Sequence, residues 1–81
     1  MIDFGITNFN VNINAGADYL FTVNFNKTFP NPPVVLLSTD NTAFTYQLQR
    51  GGITKTSFNG FVENWTTSTR NFQNIFWLAV V

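Results

Sequence analysis

Few side chains in this 81-residue chain could carry out chemistry, and their scarcity is the first constraint on function. There is no Cys and no His, so thiol nucleophiles, imidazole bases and the usual nitrogen and sulfur ligands of transition metals are missing. Four acids (Asp3, Asp18, Asp40 and Glu63) balance four bases (Lys27, Arg50, Lys55 and Arg70), and the acids are scattered singly. The one catalytic arrangement this allows is a carboxylate pair flanking a glycosidic bond, with Asp40 and Glu63 as its members. A domain this thin offers little concavity for such a cleft, so the sequence reads as non-catalytic, with no cofactor and no metal.

Binding fits the composition better. A neutral sugar needs convergent hydrogen-bonding groups and an aromatic face for the apolar side of its ring. The stretch Ser38-Thr39-Asp40-Asn41-Thr42 sets a carboxylate beside an amide, Arg50 ends a later alternating run, Phe44 to Arg50, and Trp65 leads into a polar loop, Thr66 to Asn71, holding Arg70 and Asn71. The candidate ligand-binding residues are therefore Asp40, Asn41, Arg50, Trp65, Arg70 and Asn71. Each also has a plainer reading. Asp40-Asn41 makes an ordinary turn, because such side chains bond their own backbone. Trp65 packs in the core or at a subunit contact, and Arg50 pairs with Asp40 or Glu63 across an interface. Trp77 is assigned to packing. The Asn26-Lys27-Thr28 and Asn64-Trp65-Thr66 glycosylation patterns arise readily by chance in a chain with twelve Asn.

The elements that must position these residues are strands. Apolar and polar side chains alternate with period two, β-branched and aromatic residues fill the apolar positions, and no segment has a helical period. Phe9, Val11 and Ile13 alternate with Asn8, Asn10, Asn12 and Asn14 before a hairpin-like break at Ala15-Gly16-Ala17-Asp18. Tyr19, Phe21, Val23 and Phe25 oppose Leu20, Thr22, Asn24 and Asn26. The corner Phe29-Pro30-Asn31-Pro32-Pro33 then ends the pairing, because Pro has no N–H to give to a ladder. Val34 to Thr39 is apolar on both faces. Phe44, Tyr46 and Leu48 point inward in a fourth run that Gly51-Gly52 closes. A fifth, Thr56 to Trp65, leaves open whether Phe58, Gly60 and Val62 or Phe61, Glu63 and Trp65 face the core. Ile75 to Val81 carries no polar side chain. The expectation is one all-β domain over residues 1–81, a six-stranded antiparallel β-sandwich.

Assembly follows from the third and sixth runs. A sandwich two sheets deep covers one face of each sheet, so strands apolar on both faces point to contacts between copies of the chain. The alternative is that Met1 to Ile6 or a loop folds over the exposed side of one protomer. A core of this size rarely supplies more than about 3–5 kcal/mol, and with disulfides excluded and a zinc site disfavoured, oligomerisation is the remaining support. Balanced charge argues against nucleic acid, although Phe58-Asn59-Gly60-Phe61-Val62 faintly resembles the aromatic strand on which cold-shock and RNA-binding domains stack bases. No signal peptide is seen, and the longest apolar stretch falls far short of the ~20 residues that insert into a bilayer.

Three patches in order, "VNFNKTFPNPPVV" from Val23 to Val35, "ITKTSFNGF" from Ile53 to Phe61 and "IFWLAVV" from Ile75 to Val81, resemble the H-type lectin domain. The resemblance implies a sandwich assembling as a homotrimer, sometimes stacked into a hexamer, with sugars held between neighbouring protomers. It also implies a setting in phage tail or receptor-binding proteins, where such domains occur, and hence a virion or extracellular location. Partners would be the chain itself, a cell-surface glycan or other tail proteins. Animal members carry a His beside an aromatic near the last strand, and this chain has none, so their sugar specificity does not carry across. Two functions stay open: a receptor- or carbohydrate-binding module, and a structural tail component that keeps the sandwich without a sugar site.

Overall fold

A computed structural model describes residues 1–81 apart from the side chain of Arg50, which lies outside the described residues. Six strands form, β1 (Ile2–Ile13), β2 (Asp18–Asn24), β3 (Val34–Thr39), β4 (Phe44–Ile53), β5 (Ser57–Asn64) and β6 (Arg70–Val80). They make two antiparallel three-stranded sheets, ordered β1-β6-β3 and β2-β5-β4. This is the six-stranded antiparallel sandwich that the alternation led one to expect.

The inward residues of each strand meet between the sheets. Phe21, Val23, Phe44, Phe58 and Val62 come from one side, and Ile13, Val35, Phe72, Ile75, Trp77 and Ala79 from the other. Fully burying an apolar side chain of this size contributes roughly 1.5–3 kcal/mol, and aromatic pairing adds to that. Phe58 meets Trp77 edge-on at 5.9 Å and Phe9 stacks on Phe72 at 5.5 Å. The fifth run's ambiguity is settled by Phe58 and Val62, both fully buried. Gly60 between them belongs to the same face, because the ring of Phe21 lies so close that a Cβ there would come within 2.8 Å of it. Gly5 does the same for Trp77, again at 2.8 Å.

Several boundaries differ from expectation. Residues Met1 to Ile6 are not a flap: β1 starts at Ile2, and its first residues pair with the end of β6, Ile2 with Val80 and Ile6 with Phe76. Gly51-Gly52 does not end β4, which runs on to Ile53 through a register break after Leu48, with Gly51 at φ 71° absorbing the irregularity. Arg70 and Asn71 are strand residues, not loop residues, paired with Ile13 and Asn12 of β1. Asn71 continues the ladder because its side chain bonds the neighbouring strand. Tyr46 shares the inward register of Val62, yet it remains 40% exposed because β4 is a sheet edge.

The outer face of the β1-β6-β3 sheet is divided in two. At one end, register stacks three rows across the strands: Ile2–Val80–Val34, Phe4–Leu78–Leu36 and Ile6–Phe76–Ser38. Phe4 is 71% exposed and Ile6 66%. Beyond the third row, the face turns polar at Asn8 and Asn74.

Candidate functional site

The polar end of that face carries a cavity of about 300 Å³ lined by Asp40, Asn41, Asn71 and Gln73. The β3–β4 turn supplies the first two and β6 the others. Turn chemistry sets the turn: the Asn41 side-chain carbonyl accepts the Ala43 N–H at 2.9 Å, and the Asn41 backbone carbonyl accepts from Phe44. The plain turn reading of Asp40-Asn41 therefore holds alongside the cavity. The Asn41 Nδ2 reaches across to donate to the Asn71 backbone carbonyl at 3.3 Å, which holds the turn against β6. Asp40 accepts from the Asn74 amide at 3.3 Å.

Three of the expected residues, Asp40, Asn41 and Asn71, are thus brought together. Arg50 lies outside the described residues. Trp65 and Arg70 do not line the cavity. The indole of Trp65 is 60% exposed, and its Nε1 donates to the Thr42 carbonyl at 2.7 Å, so it braces the far side of the same turn. Arg70 directs its Nε at the Thr66 hydroxyl, at 3.5 Å. Sequence reasoning missed Gln73 and Asn74, which fall between the loop read as Thr66 to Asn71 and the run read as Ile75 to Val81 and belong to β6. The signal that marks them is the Asn alternation of β1, since Asn8 pairs with Asn74.

The carboxylates do not form a hydrolytic pair. Asp40 is bonded to Asn74 on the outer side of one sheet, whereas Glu63 is exposed on the other sheet, opposite Asp18 and Thr45. Among the described residues, no group of three or more potential metal ligands is found.

The lining residues offer amide donors, amide acceptors and one carboxylate, a set suited to uncharged hydroxyl-bearing ligands. All of them fall within a longer segment of known type: the profile of the H-type lectin domain matches residues 20–80. The chain belongs to the H-type lectin domain family. No curated protein and no solved structure matches it. Membership makes this lectin domain a carbohydrate-binding type of module, in a family of non-catalytic binding domains. Such lectin domains are typically extracellular or secreted, and among the described residues no helix is long and apolar enough to cross a membrane.

Two further knots hold the lectin domain's ends. The first ties the β1–β2 and β5–β6 connections through Asn64, which is fully buried. Its amide donates to the carbonyls of Ile13 and Ser68, each at 2.9 Å, and its carbonyl accepts the Thr66 N–H and hydroxyl. An amide so enclosed is closed to glycosylation in the folded chain. The second joins Asp3 to the β2–β3 connection, with the Asn26 N–H at 2.7 Å, the Asn26 amide at 3.1 Å and the Phe4 N–H at 3.0 Å. Burial pushes the Asp3 carboxyl up, and the bonds from Asn26 and Phe4 with the charge of Lys27 outweigh it, so the group sits below its ordinary value.

Proposed function

We propose that this chain binds carbohydrate or a cell-surface receptor as a symmetric homo-oligomer, a trimer or hexamer, in the adsorption apparatus of a phage tail. The observation that carries the reading is the cavity of Asp40, Asn41, Asn71 and Gln73, which lies inside the lectin-type segment and offers groups for hydroxyls rather than for charged ligands. A shallow site of this kind binds weakly by itself. Several copies on one assembly raise the apparent affinity by avidity, without any new contact. The three apolar rows on the same face supply a surface for such an assembly, since exposed apolar patches of this extent are rare on soluble monomers. The virion setting rests on what the resemblance to the H-type lectin domain implies, since such domains occur in phage tail and receptor-binding proteins.

The test is a glycan array probed with the purified chain and with Asp40→Ala, alongside light scattering. The reading expects neutral glycans to retain the wild type and not the variant, and a solution mass that is a multiple of 9.2 kDa. A second reading is a structural tail component without a sugar site. It is favoured by the hydrogen bonds that Asp40 and Asn41 already make within the protein. Assembly with a blank array would select it.

A further inference from the structure

The amides beyond the cavity form a continuous surface. Asn8 donates to the Asn74 side-chain carbonyl at 3.0 Å, and Asn74 in turn donates to Asp40 at 3.3 Å. Asn71 donates to the side-chain carbonyls of both Asn10 and Asn12, at 3.2 and 3.0 Å. One line of side-chain contacts thus runs from the β1 edge across β6 to Asp40 in the β3–β4 turn, and the second reaches that turn through the Asn71 backbone carbonyl, which accepts from the Asn41 amide. The β1 members lie outside the 20–80 segment that matches the family.

We propose that this amide platform, Asn8, Asn10 and Asn12 with Asn71 and Asn74, is a subsite that extends the Asp40 cavity and takes further residues of an uncharged glycan chain. The inference rests on the sugar-binding reading of the cavity and deepens it from a single sugar to a polymer. Three observations carry it.

The first is hydrogen-bonding capacity. A primary amide offers two N–H donors and a carbonyl with two lone pairs. Among the described residues, the Nδ2 groups of Asn10 and Asn12 donate to no protein group, while their carbonyls are held in place by Asn71. The donors are therefore oriented and unspent, which suits the hydroxyl and ring oxygens of a sugar chain.

The second is the backbone. The pairing of β1 with β6 shifts register between Asn8 and Val11, and Asn10 within that bulge has φ 49°. Glycine would occupy this conformation without strain, and Asn is among the few side chains that tolerate it. Alternation along β1 runs on through the bulge, with Phe9 stacked in the core and Asn8, Asn10 and Asn12 all exposed on the outer face.

The third is extent and charge. Four residues of strand cover roughly 13 Å and two strand spacings roughly 10 Å, which is wider than one sugar ring. Asp40 is the sole charge in the set, and a lone carboxylate disfavours polyanionic chains.

The experiment measures binding of neutral oligosaccharides, one to six residues long, by an array and then by titration of the best series. Wild type is compared with Asn12→Ala, Asn10→Gly and Asp40→Ala. Asn10→Gly suits the local backbone and so folds even if another variant does not. The proposal expects affinity to rise at least tenfold from the single sugar to the tetrasaccharide. Asn10→Gly and Asn12→Ala are expected to remove that gain while the single-sugar affinity stays within twofold. Equal affinity for single sugars and hexasaccharides in the wild type would overturn the platform and leave the cavity standing. No binding at any length would overturn both. Substitutions at Asn10 and Asn12 that change oligomer mass and leave the length-dependent gain intact would show the platform to be an interface between copies, and would overturn it as well.

Discussion

The Asn64 amide donates to the Ile13 carbonyl at 2.9 Å across 51 positions of sequence, and this bond is buried. It joins the last residue of β1 to the last residue of β5, so one side chain closes the end of the sandwich beside the β3–β4 turn. The nearby Trp65 N–H reaches the Ala43 carbonyl, which links the same corner to that turn.

Asn64→Ala is expected to cost about 1–3 kcal/mol, the penalty for a buried group left without a partner, because the Ile13 carbonyl loses its buried donor while the Ser68 carbonyl keeps the Thr66 hydroxyl. Asn64→Asp should be comparably harmful, since it sets a carboxylate oxygen against the carbonyls of Ile13 and Ser68 in place of an N–H donor. Denaturant titration checks both. A loss under 1 kcal/mol in each would show that the corner relaxes or admits water.

Acid should act through Asp3. Its folded pKa lies below the ordinary 3.8, so the folded state favours the ionised form. The stability from this group is present above the ordinary value and is lost as pH falls through the lower folded value. Asp3→Asn should be less stable at neutral pH, with a shallower dependence as pH falls below the ordinary carboxylate value of 3.8. Melting curves across that range measure it, and equal slopes for the two proteins would remove Asp3 from the account.

Gly5→Ala should displace the Trp77 indole, whose Cζ2 lies 2.8 Å from where the new methyl would sit. Overpacking of this kind typically costs 1–3 kcal/mol, and a change in indole emission should accompany it. The measurement must allow for Trp65, which is exposed and contributes a redder signal; a Trp65→Phe background isolates Trp77.

How much of this was legible in the chain depends on what each residue's placement needed. Phe21 and Val23 announce their face by alternation, which is a local property, whereas Phe72 and Trp77 lie an odd number of positions apart and share the inward face only through the irregularity of β6 opposite the Asn8/Val11 register shift. Asp40 and Asn41 were legible locally too, because turn chemistry is short-range. Gln73 and Asn74 were not: their relation to Asp40 exists only through the β3–β6 register, Thr39 beside Ile75, which no local pattern specifies. The reach of β1 back to Ile2 was missed because Asp3 and Gly5 interrupt its apolar pattern. The buried carboxylate of Asp3 is held by hydrogen bonds from Asn26, and Gly5 is covered by Trp77.

The apolar rows yield the last prediction. Ile2, Phe4 and Ile6 on β1, Val34 and Leu36 on β3, and Leu78 and Val80 on β6 are each more than a third exposed. Burial of apolar area is worth roughly 25 cal/mol per Å², so the free energy gained when two such faces meet is large, while a lone protomer leaves them in water. Leu36 is 59% exposed, and Leu36→Glu removes no core contact from the protomer but sets a charge in the centre of the surface. The wild type is expected to sediment as an oligomer at micromolar concentration. Leu36→Glu should sediment at 9.2 kDa with its melting temperature lowered by the loss of assembly and its circular dichroism unchanged. If the wild type itself sediments at 9.2 kDa at millimolar concentration, this face does not bring copies together and the avidity mechanism fails with it.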